Sequence, residues 1–165
     1  MNFPLGTFRV QGKSTKQWDA KTELEMLAQQ NFSGYVIETL YSSVGVDECA
    51  LLFRAGQVTA ATYEVHATNQ ALFGDESLAH VGNAFAATHG IIDVAELSSQ
   101  QADLILAFNQ KLKLTKPLQK GQLRALVKDT YDATLLQQSK VGGAIASESK
   151  ESLFKRFGLA GIESR

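Results

Sequence analysis

The sequence predicts an α+β fold: a small, mainly antiparallel sheet packed by helices, with a helical C-terminal extension. Three observations carry this. Residues 32–66 hold three aromatic and β-branched runs separated by short polar breaks, the pattern of a three-strand meander. Both faces of those runs are fairly apolar, so helices must cover much of the sheet. The flanking segments switch to helical spacing and carry helix-capping residues. With 165 residues and 44% hydrophobic content, the chain can bury a core without disulfides or metals.

The elements follow in order. Residues 1–10 read as extended, with Phe3, Leu5, Phe8 and Val10 punctuated by Pro4 and Gly6. A first helix is expected from Thr15 to Gln30, capped by Ser14 or Thr15, with Trp18, Leu24, Leu27 and Ala28 on its apolar face. The first strand of the meander spans residues 32–41. A loop is expected over 42–47, then a short central strand from Cys49 to Phe53. Arg54, Ala55 and Gly56 form a turn in which Gly56 supplies a positive φ. The third strand runs from Gln57 to His66.

A second helix follows Gly74. Asp75 is its expected N-cap, Leu78, Val81, Phe85 and Ala86 form its stripe, and Gly90 is its C′ residue. Ile91 to Leu97 is a short extended run. Ser98 and Gln101 form a capping box opening a third helix, with Leu104, Ile105, Phe108 and Leu112 as its expected buried side. Residues 113–121 read as a junction around Pro117, and a fourth helix is expected over 122–138. Residues 141–144 are a linker. A last short helix carries Leu153, Phe154 and Phe157 and ends at Gly158. Alone in water so short a helix is unstable, so it needs a surface to dock on. The organisation expected is an α+β interaction module over 1–112 and a basic helical extension over 113–165.

Charge is split along the chain. Residues 1–110 carry a net −7 and residues 111–165 a net +6, for −1 in total. The basic part presents Lys120, Arg124, Lys128, Lys155 and Arg156 as candidate partner contacts. A stripe of this kind also suits phosphates. It lacks a recognition helix or aromatic strand motif, which makes nucleic acid the weaker expectation. No basic leader with an apolar core opens the chain, and no stretch nears the roughly 20 apolar residues a spanning helix needs. The expectation is a cytoplasmic protein without membrane insertion.

Gly12-Lys13-Ser14 imitates a phosphate loop, but position 7 is Thr7 where the pattern needs glycine. His66, His80 and His89 have no histidine or cysteine three or four residues away, so no metal pattern forms. Cys49 sits within an apolar strand, where a thiolate is costly. The pairs Asp47-Glu48 and Asp75-Glu76 are sequence neighbours, which do not face each other across a substrate. No catalytic residue, cofactor-binding residue, cofactor or metal is expected.

Residues 32–36, then the run from Gly45 through Arg54-Ala55-Gly56 to Ala61, then Gly74-Asp75-Glu76-Ser77-Leu78, make a connected pattern. This resembles an uncharacterised archaeal protein family and, more distantly, the bacterial PATAN-type domains fused to signalling proteins. The tail Glu151 to Leu159 is similar to a closing helix in such archaeal proteins. The resemblance implies a small α+β module whose bacterial relatives act as interaction or adaptor domains, and it brings no catalytic residue with it.

The reading is a non-enzymatic protein-interaction or adaptor module in a signalling or regulatory assembly. A protein partner is expected, and a homodimer through an open edge strand or exchanged terminal helix is to be tested. The alternatives are a small-ligand sensor with a pocket near Tyr35, Tyr63 and Asp75, and nucleic-acid binding through the basic third.

Overall fold

The structure is a computed structural model and describes residues 3–42 and 45–135. Described residues up to Ala133 form one compact unit, and only Thr134 and Leu135 are described of the second. The elements are β1 (Thr7–Ser14), α1 (Ala20–Gln29), β2 (Gly34–Ser42), β3 (Gly45–Arg54), β4 (Gln57–Val65), β5 (Gln70–Phe73), α2 (Leu78–Ala84), β6 (Gly90–Glu96), α3 (Ser99–Phe108), β7 (Lys113–Leu118) and α4 (Leu123–Leu126).

The meander is present as β2–β3–β4. Its β3–β4 hairpin turns on Ala55 (φ 49°) and Gly56 (φ 79°), the two positive values that a tight hairpin matching strand twist demands. The turn is fastened from outside. Gly56 N–H donates to the Phe32 carbonyl at 2.8 Å, and Ala55 N–H to Ser33 Oγ at 2.9 Å. Around the meander the sheet grows to seven strands in the order β1-β6-β2-β3-β4-β5, with β7 also on β4. Every pairing is antiparallel.

Strand alternation then sorts the side chains onto two faces. One face carries Val36, Glu38 and Leu40 of β2, Asp47, Cys49 and Leu51 of β3, Tyr63 of β4 and Ile92 of β6, all buried. A helical layer covers it: α2 packs on β3 and β4, and both α1 and α2 contact α4. Trp18 meets Phe85 within this layer, and Phe32 meets Phe53 edge-on. Among the described residues, the other face is covered at one end only. There Tyr35, Leu52, Ala60, Ala95, Leu97, Ile105 and Leu112 form a core cluster, with Phe3 stacked on Tyr35. Beyond the reach of α3 this face shows Thr39, Tyr41, Glu48, Glu64, Ile91 and Asp93, none of them buried.

Several elements differ from the sequence reading. The chain extends through Ser14 as β1, then makes a 3-10 turn at Thr15–Gln17 before α1. Residues 45–47 belong to β3 rather than a loop. Asp75 does not cap α2; both its carboxylate oxygens accept from Thr115 N–H, at 3.1 and 3.3 Å. That bond ties β7 to the turn before α2. Gly90 is no helix C′ residue: α2 ends at Ala84, and Gly90 opens β6. Residues 113–118 are a strand rather than a junction, and within the described residues the fourth helix is only Leu123–Leu126. Glu25 supports its start, accepting from Gly121 N–H at 2.8 Å and Arg124 N–H at 3.0 Å.

The capping box at α3 forms as read. Ser98 Oγ accepts from Gln101 N–H at 3.2 Å, and Gln101 Oε1 accepts from Ser98 N–H at 2.9 Å. Ser98→Ala is expected to cost about 1 kcal/mol of stability in denaturant unfolding. Of the expected buried side of α3, Ile105 and Leu112 are buried as read, whereas Leu104 and Phe108 are not. Ala102 and Ile105 are buried, while Leu104 is 57% and Phe108 80% exposed. Leu106 is half-buried and packs against the core cluster, while Leu104 and Phe108 face outward.

Candidate functional site

The buried face of the sheet holds an unusual row. Glu38 of β2 lies directly opposite Cys49 of β3, which lies opposite Tyr63 of β4. Asp47 stands two residues along β3 on the same face, a diagonal neighbour of both Glu38 and Tyr63. Glu38 and Asp47 are each 0% exposed. Tyr63 donates its hydroxyl to Asp47 Oδ2 at 2.7 Å, and Cys49 Sγ is 4.0 Å from Glu38 Oε2. Glu38 Oε1 and Asp47 Oδ1 have no hydrogen-bond partner among the described residues.

Other titratable groups close over this row. His80 of α2 lies with its ring 5.3 Å from that of Tyr63, and His89 meets Tyr131 edge-on at 5.0 Å. Removing Glu38 from water disfavours its charge and pushes its pKa up to about 9. Burial also raises the Cys49 thiol, and the Glu38 charge adds to this. Tyr63 is raised by burial and then by its bond to Asp47. Tyr131 is raised by burial, then by the charges of Asp47 and Glu38. His80 is lowered by burial and by Lys128, so neutrality is favoured. The arrangement is an enclosed acid-and-phenol cluster containing a carboxyl that keeps its proton at neutral pH.

The open half of the opposite face carries a second group. Glu48 and Glu64 stand directly opposite each other across β3 and β4. With the exposed His66 they bring three donor atoms within 4.8 Å of one another. Two carboxylates and an imidazole at that spacing have the donor set for a divalent cation, and like charges set opposite on neighbouring strands repel. Sequence spacing alone missed this group, because His66 joins glutamates 2 and 18 positions before it through strand pairing.

A third feature is apolar. Gln101, Leu104 and Phe108 follow one another at helical i, i+3, i+7 spacing on the outer side of α3. Leu5, 85% exposed, lies beside Gln101 at the shallow depression they line with Gly6, Thr7, Glu96, Leu97 and Ser98. Leu5, Leu104 and Phe108 are each large and exposed hydrophobic side chains.

Of the candidate partner contacts, Lys120 and Arg124 are exposed and Lys128 is half-buried. Arg124 lies in α4 and Lys120 before it. Lys128 follows the helix, with its N–H on the Gly82 carbonyl at 3.0 Å. They do not share one helical face within the described residues, and Lys155 and Arg156 lie outside those residues. Tyr35, Tyr63 and Asp75 are not brought together. Tyr35 faces the α3 cluster and donates to the Pro4 carbonyl, Tyr63 points to the opposite face, and Asp75 holds Thr115. Among the described residues, no helix is long and apolar enough to cross a membrane.

Residues 1–109 match the model of a family described as an uncharacterized protein conserved in archaea (DUF2226). No curated protein and no solved structure matches the chain.

Proposed function

The chain belongs to this archaeal family, and from that premise we propose that it is a non-enzymatic protein-interaction module, an adaptor within a cytoplasmic signalling or regulatory assembly. The observation that carries the reading is the exposed apolar side of α3. Leu104 and Phe108 sit at helical spacing on a helix whose other side is fixed to the core by Ala102 and Ile105. A rigid helix presenting two large apolar side chains is a docking element for a partner protein.

Leu104→Glu combined with Phe108→Glu tests it. Both side chains are exposed, so stability is expected to stay within about 0.5 kcal/mol of wild type per site. The double variant is expected to lose the protein that the wild-type chain co-purifies from native cells at low salt. Retention of that protein, or turnover of a small metabolite by the purified chain, overturns the reading. A small-ligand sensor is the second reading, favoured by the enclosed polar cluster around Glu38 and Asp47.

A further inference from the structure

On the open half of the sheet, β3 and β4 bring three donor side chains together from two separate stretches of chain. Antiparallel register sets Glu48 directly opposite Glu64. Alternation sends Asp47 and Val65 to the buried face and leaves Glu48 and Glu64 on the other, with His66 two positions after Glu64. One donor atom from each of the three lies within 4.8 Å of the other two. Among the described residues, no other three histidine, cysteine, aspartate or glutamate side chains gather so closely.

The backbone under this group is well fixed. Glu48 sits between two ladders, with Thr39 of β2 opposite it on one side and Glu64 of β4 on the other. His66 opens a 3-10 turn, His66–Thr68, that packs against β3. Asn69 closes the turn: its φ is 51°, and its N–H donates to the His66 carbonyl at 3.4 Å. The turn also fits tightly to the start of β3, since a Cβ on Gly45 would stand 3.1 Å from that of Ala67. Main-chain structure thus holds the imidazole beside the two carboxylates, and side-chain rotation alone remains to bring the donors onto an ion.

We propose that Glu48, Glu64 and His66 form a binding site for Zn²⁺, each carboxylate giving one oxygen and the imidazole one nitrogen, with water in the fourth position. Bonds of about 2.0–2.1 Å around a tetrahedral ion put ligand atoms roughly 3.3 Å apart. Rotation of the two glutamate side chains covers the difference from the present spacing. The imidazole selects the class of ion. Nitrogen suits zinc and its transition-metal neighbours, whereas calcium and magnesium prefer shells of oxygen. Two carboxylates set opposite on neighbouring strands repel, and a dication between them turns that repulsion into attraction. His66 is exposed and both glutamates are half-buried, so an ion enters from solvent without opening the fold. The same exposure leaves the fourth position to water, the arrangement of zinc sites with three protein ligands. None of the three residues belongs to α3, so the site stands independently of the docking helix.

Calorimetric titration of the metal-free full chain with Zn²⁺ tests the site. One Zn²⁺ is expected to bind per chain and to raise the unfolding temperature as its concentration rises. His66→Ala is expected to weaken binding by more than the roughly tenfold that loss of a ligand's supporting hydrogen bond costs. Glu48→Gln combined with Glu64→Gln should abolish it. Glu76→Gln, which removes an exposed carboxylate elsewhere, should keep wild-type affinity. Nuclear magnetic resonance on the wild-type chain supplies a readout that needs no variant to fold: Zn²⁺ should shift the imidazole resonances of His66 and leave those of His80 and His89 in place. Absence of Zn²⁺ binding, unchanged affinity in His66→Ala, Ca²⁺ bound as tightly as Zn²⁺, or His66 resonances that do not move would each overturn the proposal.

Discussion

Glu38→Gln is expected to gain on wild type in stability as pH rises, the difference between the two shifting in favour of the variant by roughly 4 kcal/mol from pH 5 to pH 8.5. The sign follows from linkage. Burial raises the Glu38 pKa from 4.5 in the unfolded chain to about 9 in the fold. Between those values the native state holds a proton that the unfolded state has released. Stability therefore falls as pH rises across this window, by about 1.4 kcal/mol per unit, and levels off above it. His80 acts in the opposite direction on the acid side. Its pKa is lowered by burial, so folding disfavours its proton, and its contribution to stability rises with pH up to about 6.5. The cleanest range is thus pH 7 to 9, where Glu38 titrates and His80 is already neutral. Urea unfolding at several pH values in this range should show a downward slope in wild type and a flat line in the variant. A slope unchanged by the substitution would mean that Glu38 is ionised in the native protein.

A second large effect is expected at the entry of β2. Gly34 has φ 153°, and a Cβ there would stand 2.1 Å from the Ala95 carbonyl oxygen and 2.5 Å from Phe32 Cζ. Gly34 pairs on one side with Phe53 and on the other with Glu96, so neither neighbour can retreat without opening a central ladder. Gly34→Ala should cost about 3 kcal/mol or more, enough to abolish a cooperative transition in a marginal domain. Gly12→Ala is the control. Gly12 also has a positive φ, 60°, but a Cβ there would meet nothing within 4 Å. Its expected cost is about 1 kcal/mol, from backbone conformation alone. Thermal or urea unfolding of the pair separates steric packing from φ preference. Equal losses in the two would contradict the close approach at Gly34.

What the sequence made legible was local. Period-two alternation and the Ala55-Gly56 turn carry the meander, because both signals lie within about 35 contiguous residues. The Ser98–Gln101 capping box was readable for the same reason. β7 was not. Its residues Lys113 to Leu118 are polar and contain Pro117, and only Leu114 is buried, so nothing local distinguishes an edge strand from a junction. Its place is set by pairing with β4 and by the reach of Asp75, some 40 positions away.

The candidate site was less visible still. Asp47 beside Glu48 reads as a polar loop end. Alternation in β3 instead sends Asp47 to the buried face and Glu48 to the open one. The Asp47–Tyr63 bond depends on a register that a one-residue slip would destroy. Spacing also suggested that Leu104 and Phe108 were core, since periodicity identifies an apolar side without telling what lies against it. On α3 the side fixed to the core carries Ala102 and Ile105 with Leu106 half-buried, and Leu104 and Phe108 lie outside it.

Cross-linking mass spectrometry on the wild-type chain in native cells tests the interaction reading most directly. Lys111 lies just past the end of α3, its ammonium over the Phe73 ring at 3.8 Å, whereas Lys21 lies on α1 in the opposite layer, bonded to Asp129. The reading predicts links from a protein partner that gather at Lys111 and Lys113 and vanish with Leu104→Glu and Phe108→Glu. Partner links confined to Lys21 and Lys128, and unchanged in that variant, would contradict it.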